Sequence, residues 1–422
     1  MADDLLQRIQ RLQFTDRPAA EAMLLQFINR TFPFEVTACE LRPQVISLNS
    51  FNGFITLADG TRRFFKTHTE EDTVIDEYYN AQMLADAGYP IIQPIHSSHE
   101  TGQQILIYEV IEDPSVFDVA WALENGSTDY DAAALEQAQN DADDDLLQRY
   151  LETLEPQSAE GAAEAPIHQL FYHRLVGGRL RRFYGSVFPG EHDEDKYIAL
   201  PLGDVPLVTA RAVRWSINGQ SYDENLNEVI ERAVSLLRPA QAGPSVIGHG
   251  DAHNGNVFFQ CRPEGESSLL YFDPAFAGRH DPLLDLVKPL FHNVFAMWMY
   301  FPQEISQRSI IRYAMDKDIW LVDYDYDVPP IRQMFLRSKV ERVLIPLIGM
   351  LKERNLLRPD WRPFLKSALF CCPFLTLDLT DTERFPPEIS LLGLAMAVEM
   401  GSESINSRSV IDTVLDGVER VL

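Results

Sequence analysis

The stretch Ser245 to Asp285, SVIGHGDAHNGNVFFQ…LLYFDPAFAGRHDPLLDL, constrains this chain more than any other. It holds a His-Gly-Asp turn, an Asn five residues after the Asp, and a second Asp after a short apolar run. For Asp251 and Asn256 to face one point, the loop between them must bend tightly, and Gly250 and Gly255 permit that bend. NVFFQ and SSLLYF read as a hairpin around residues 261–267, which returns Asp273 beside Asn256. A short strand, SVIG, delivers the chain into this loop.

One carboxylate beside hard oxygen donors is the set that phosphoryl transfer from a nucleotide requires. Asp251 reads as the base that orients and accepts the proton of an attacking hydroxyl. Asn256 and Asp273 read as Mg²⁺ ligands. A zinc reading of His249, His253 and Asp251 is poor, because no further ligands cluster nearby. The pattern H-G-D-x-H-x-G-N, then an apolar strand ending in Asp, then G-x-x-D-P-x-x-D-L, resembles the aminoglycoside phosphotransferase and choline kinase family. These are small-molecule kinases with a protein-kinase-like fold.

The resemblance implies an α+β, bilobal fold: a small, mainly antiparallel β-sheet lobe with one helix, and a large, mainly α-helical lobe. It implies that His249 holds the loop together and that Asp285 is a buried anchor for it. His253 is expected to pack or to hydrogen-bond within the loop. It also implies ATP (or GTP) and Mg²⁺ as cofactors and a small hydroxylated acceptor. The acceptor is of the aminoglycoside, amino alcohol or sugar type. The alternative is a non-catalytic, kinase-like nucleotide-binding or regulatory protein. Only seven residues separate Asp273 from Asp281, too few for the activation segment with which a protein kinase docks a polypeptide. No G-x-x-x-x-G-K-[ST] is present, which excludes a P-loop enzyme.

The rest of the chain supplies the lobes. Residues 1–34 read as a helical extension, with Asp16 and Pro18 restarting a second helix. Residues 35–112 read as the small lobe. Strands flank an Asp59-Gly60 turn, a helix runs from Thr73 to a stop at Gly88, and two more strands meet at a Glu100-Thr101-Gly102 turn. Lys66 ends the third strand where this fold keeps its phosphate-binding lysine, and Glu77 is its expected helix partner. Ser47 to Gly53 is expected to form the loop over the phosphates, with Ser50, Asn52 and Gly53 contributing. Backbone groups from Glu109 to Ile111 are expected to meet the adenine.

Residues 113–422 read as the large catalytic and substrate lobe, with an acidic insertion at about 120–166 that ends in a linker-like PQSAEGAAEAP. Arg174, Arg179, Arg181 and Arg182 follow among aromatics. They read as a solvated face paired to the insertion, or else as a face that holds an anionic substrate group or approaches the nucleotide phosphates. Ser221 and Glu224 are expected to cap an amphipathic helix, and after Asp285 the chain reads as helices to the end.

A net charge of −27 is the wrong sign for tracking nucleic acid. Cys39, Cys261, Cys371 and Cys372 lack a C-x-x-C spacing, and the N-terminus lacks a signal-peptide pattern. A reduced, cytoplasmic protein without a membrane span is expected.

Overall fold

The computed structural model describes residues 5–42, 50–68, 73–98, 104–188, 196–261, 266–316 and 318–421. The chain divides into two compact units, Met1–Pro114 with Leu270–Ala275, and Ser115–Leu269 with Phe276–Leu422.

The first unit opens with helices α1 (Leu5–Thr15) and α2 (Arg17–Thr31). Asp16 separates them, because its carboxylate accepts the Ala19 N–H at 3.2 Å and starts α2 as an N-cap. Strands β1 (Val36–Leu41), β2 (Ser50–Leu57) and β3 (Arg62–His68) come next. Helix α3 (Thr73–Asp86) and strands β4 (His96–Ser98) and β5 (Ile105–Glu109) complete the unit. The sheet order is β1-β2-β3-β5-β4, with every pair antiparallel.

Gly60 sits at φ 86° in the β2–β3 turn, and the Asp59 carboxylate accepts the Thr61 N–H at 2.8 Å. Gly88 (φ 86°) stops the chain just after α3. Leu6, Ile9, Leu24 and Phe27 share one core with Phe51, Phe65 and Ile107 of the sheet. The helical extension thus covers a sheet face that would otherwise expose apolar surface. Glu77 lies among the α3 side chains outside the described residues, as do residues 47–49 and the 100–102 turn.

The second unit is mainly helical and holds one feature that the sequence reading missed. Strands Arg214–Ile217, Gln220–Tyr222, Ile311–Met315, Ile319–Tyr324 and Ser404–Ile405 form a five-stranded sheet, three strands of which lie after Asp285, where helices alone are expected. Its Arg214–Ile217/Gln220–Tyr222 hairpin turns at Asn218 (φ 49°) and Gly219 (φ 77°). Asn-Gly with two positive φ values is the tight turn that matches strand twist. Ser221 is therefore a strand residue. The cap of helix Leu226–Leu236 is instead Asn225 with Glu228, a complete capping box. The helices Trp361–Leu375 and Pro387–Gly401 are buried almost all round and form the centre of the unit.

The acidic stretch is not an appendage. It contains α4 (Val116–Glu124), the 22-residue α5 (Ala132–Thr153) and strand β6 (Glu155–Gln157). The linker-like PQ pairs in register with strand Gly243–Gly248, which leads into the central loop. Leu135, Ala138, Leu146 and Tyr150 bury one face of α5. The acidic residues find their partners within the unit: Glu136 with Arg337, Asp144 with Arg342, and Asp143 with Lys339. The last pair is buried, and Asp143 also accepts from Ser338 Oγ at 2.8 Å and Gln139 Nε2 at 3.0 Å.

Asp143→Ala strands a buried ammonium and should cost about 3–5 kcal/mol of stability. Asp144→Ala, at an exposed pair, should cost about 0–1 kcal/mol. Urea unfolding of the two variants checks the assignment, and equal losses would return the stretch to the status of an insertion.

Candidate active site

The loop that follows strand Gly243–Gly248 is held from beneath by one carboxylate. Asp285, in helix Pro282–His292, is 3% exposed and accepts the Gly250 N–H at 2.5 Å. The same oxygen lies 3.1 Å from His280 Nε2, and the other accepts the Tyr150 hydroxyl of α5. Asp285 is thus the anchor that the resemblance implied. Burial pushes its carboxyl up, but the hydrogen bond and charge of His280, with Tyr150 and Gly250, outweigh that and hold it at about 2. Gly250 must be glycine: φ is 79°, and a Cβ there would stand 2.4 Å from the Phe276 carbonyl oxygen.

The turn then closes on itself. His253 N–H donates to the Asp251 carbonyl at 2.8 Å, and Asn256 N–H to the His253 carbonyl at 2.7 Å. Gly255 N–H donates to His253 Nδ1 at 3.0 Å, so His253 holds the loop, as expected. Buried His249 lies 3.4 Å from the Asp251 N–H. Asn256 donates its amide N–H to the Asp251 carbonyl at 3.0 Å, which leaves its amide oxygen as a hard donor. Asn293, which the sequence did not flag, accepts the Asn254 N–H at 2.7 Å from the end of helix Pro282–His292. No motif marks it.

The side chain of Asp251 sits in a charged setting. Lys288 Nζ is 3.7 Å from Asp251 Oδ1, and His253 Nε2 is 4.0 Å from it. That oxygen is buried and has no hydrogen-bond partner among the described residues. Burial pushes the carboxyl up, yet Lys288, then His253, Arg174 and His249, hold it below the usual range, so it is ionised at neutral pH.

Lys288 Nζ donates to His292 Nε2 at 3.3 Å, because an ammonium has no acceptor. His292 Nδ1 then carries the proton and donates to the Tyr300 oxygen at 2.8 Å. Burial first, and then the Lys288 charge, keep His292 well below its ordinary value and neutral.

The first unit holds the remaining residues. Lys66 Nζ is 2.8 Å from Asp273 Oδ1, a partly exposed pair. Asp273 sits at φ 57°, uncommon for a residue with a side chain and a form of strain that gathers at functional sites. Asn80 of α3 steadies the segment by donating to the Pro274 carbonyl at 3.2 Å. Asn52 faces Lys66 across β2–β3. Gly53 is needed for packing, since a Cβ there would meet the Glu40 carbonyl oxygen at 2.0 Å. Ser50, Asn52 and Gly53 therefore lie in strand β2 and not in a loop. Glu109 ends β5, and Ile111 follows it outside any strand.

Asn256, in the second unit, keeps an amide oxygen, and Asp273, in the first, a carboxylate; each by itself is a hard donor of the kind that Mg²⁺ takes. Among the described residues no group of three His, Cys, Asp or Glu could hold a metal, which leaves the zinc reading without support. All four cysteines are free. Among the described residues no helix is long and apolar enough to cross a membrane.

Residues 172–316, which include the whole central loop, match the profile described as "Phosphotransferase enzyme family". Over that stretch the chain carries the family's signature. The resemblance read from the motif therefore holds where the motif lies.

No curated protein matches the sequence. Among solved structures, macrolide 2'-phosphotransferase type I is 14% identical at a TM-score of 0.40, covering 89% of this chain and 96% of that one. Spectinomycin phosphotransferase, solved with ADP and spectinomycin, is 14% identical at 0.41, with 90% and 98% covered. A fructosamine-3-kinase homologue from Thermobifida fusca is 13% identical at 0.41, again with 90% and 98% covered.

The anchor makes a pH prediction. The Asp285 carboxyl lies at about 2 when folded, against an ordinary value of about 3.9 in the unfolded chain. A depressed carboxyl stabilises the fold above the unfolded value and loses that effect as pH falls towards 2. Its contribution at neutral pH is about 2–3 kcal/mol. Wild type should therefore show a steeper fall of unfolding free energy between pH 4 and 2, about the two values cited, than Asp285→Asn. Parallel pH curves would remove Asp285 as the anchor.

Proposed function

We propose that this protein is an ATP- (or GTP-) dependent O-phosphotransferase that moves the γ-phosphoryl group to a hydroxyl of a small molecule. An aminoglycoside, amino alcohol or sugar-like acceptor fits the family. The observation that carries the reading is the Asp251 carboxylate. It is ionised, its buried oxygen lacks a hydrogen-bond donor among the described residues, and it stands on a loop pinned at Gly250. A buried acceptor left open is costly unless a ligand completes it, and a substrate hydroxyl is such a donor.

In this mechanism Asp251 accepts the hydroxyl hydrogen bond and orients the oxygen for attack. In a loose transition state the proton leaves late, so a low carboxyl pKa suits the role. Lys288 keeps the carboxylate charged and limits its movement. Lys66 binds the nucleotide phosphates, with Glu77 as its helix partner. Asn52, with Ser50 and Gly53, lies along the strand beside it. Backbone groups at Glu109 and Ile111 take the adenine. Asn256 and Asp273 would hold Mg²⁺, which when bound offsets charge on the phosphate oxygens. Most of the rate comes from positioning and charge stabilisation. Cysteines that are all free are in keeping with a cytoplasmic enzyme.

Two measurements test this. Asp251→Asn should lower turnover by about 10²–10⁴-fold while nucleotide affinity stays within a few-fold; full activity sinks the assignment of the base. Thermal unfolding with ATP and with GTP, with and without Mg²⁺, should show a Mg²⁺-dependent rise of the midpoint. Asp273→Asn should abolish that rise, and Lys66→Ala should reduce it. No rise with either nucleotide would turn the reading towards a non-catalytic protein.

A further inference from the structure

The side chains around Asp251 carry more positive charge than one carboxylate balances. Arg174, in the short helix Tyr172–Val176, has no hydrogen bond or ion pair for its guanidinium among the described residues, and its Nη1 is buried. Helix Tyr172–Val176 packs on helix Trp361–Leu375, which in turn packs on the helix Pro282–His292 that carries Lys288 and His292, so the Arg174 charge bears on Lys288, His292 and Asp251 alike. Arg179 acts on both Arg174 and Lys288. It donates to the carbonyls of Leu375 and Thr376 at 3.1 and 3.0 Å.

Those carbonyls end helix Trp361–Leu375, whose Cys371 and Cys372 also feel Arg174 and Lys288. The Thr376 hydroxyl there is buried and has no hydrogen-bond partner among the described residues. Arg174 and Lys288 therefore share their surroundings with Asp251, and Arg179 bears on both of these cations. His292 adds no charge, and the two thiols stay protonated because burial raises them.

The acidic stretch does not answer these arginines. Its acids pair with Arg337, Lys339 and Arg342. Arg181 and Arg182 are exposed, whereas Arg174 and Arg179 are half-buried. A buried guanidinium N–H without a partner is unfavourable, and such a fork is built for a planar or tetrahedral anion.

We propose that Arg174, with Arg179, Lys288 and the Thr376 hydroxyl, binds an anionic group, a carboxylate or phosphate, on the acceptor whose hydroxyl Asp251 orients. The substrate is then a hydroxy acid or a phosphorylated alcohol and not a polycationic aminoglycoside. The inference rests on the phosphotransferase reading only for the role of Asp251. The chain's net charge of −27 makes a local excess of buried cation the more specific signal.

The test is titration of the full chain with inorganic phosphate and with glycerate, methylammonium being the control, at fixed ionic strength. It is run with and without saturating ATP–Mg²⁺ and read by calorimetry. Both anions should bind saturably with and without the nucleotide, and methylammonium should not bind. Arg174→Gln should weaken the anions about tenfold or more, Arg174→Lys should recover part of that loss, and ATP–Mg²⁺ affinity should not change.

Thr376→Val, the milder change, should weaken the anions about threefold and serves if the arginine variants fail to fold. Absence of saturable anion binding, or binding unchanged in the folded variants, overturns the proposal. So does a loss of ATP–Mg²⁺ affinity in step with the anions, which would assign these cations to the nucleotide. Anion binding needs neither nucleotide nor turnover. A chain that binds glycerate through Arg174 but no nucleotide fails the phosphotransferase reading and keeps the anion site, and the converse result separates the two the other way.

Discussion

The second unit depends on a carboxylate that takes no part in chemistry. Asp285 accepts from Gly250, His280 and Tyr150, and so ties the central loop, the short strand Gly278–His280 and helix α5 to helix Pro282–His292. A buried charge is tolerated only when hydrogen bonds replace its water. Here every donor belongs to a different element, so the loop cannot move without exposing the charge. Gly248 shows how tight the arrangement is: a Cβ there would lie 2.6 Å from the Asp285 carboxylate. The loop geometry that presents Asp251 thus follows from an electrostatic constraint one layer below it.

A second electrostatic layer lies above it. Asp251 is held charged by Lys288, and Lys288 is held by Asp251 and by a neutral His292. Removing water strengthens each of these interactions, so a small number of groups fixes the charge state of the base. The same condition makes Arg174 informative: its buried Nη1 has no hydrogen-bond partner among the described residues, and such a donor points to a ligand.

Several parts of this arrangement were legible in the residues. The H-G-D-x-H-x-G-N spacing demanded a tight bend, which Gly250 makes at φ 79°, and the resemblance implied a packing or hydrogen-bonding role for His253 in the loop, which accepts the Gly255 N–H. Asp59-Gly60 announced its hairpin, and Asp16 its helix start. Other signals were present and misread. Asn218-Gly219 is a hairpin dipeptide between RWSI and QSY, yet the stretch was read as leading into a helix capped at Ser221. The acidic stretch looked like solvated insertion because composition records the exposed face of α5 and says nothing about Asp143 meeting Lys339 across the fold. Asn293 and Asn80 have no local pattern at all, because each acts on a segment remote from it in sequence.

By itself the sequence determined the local geometry: where glycine lets the chain turn, where a short polar side chain caps a helix, and which carboxylate and amide come on one tight loop. These are effects of neighbours within a few residues, and spacing encodes them directly. Only the tertiary structure decided which charges are buried and which remain without partners. It placed Lys288 against Asp251, paired the acids of α5 with a distant helix, and left Arg174 Nη1 buried without a hydrogen bond among the described residues. The reason is physical: desolvation and long-range pairing set the energy of a charge, and both depend on what the fold packs around it.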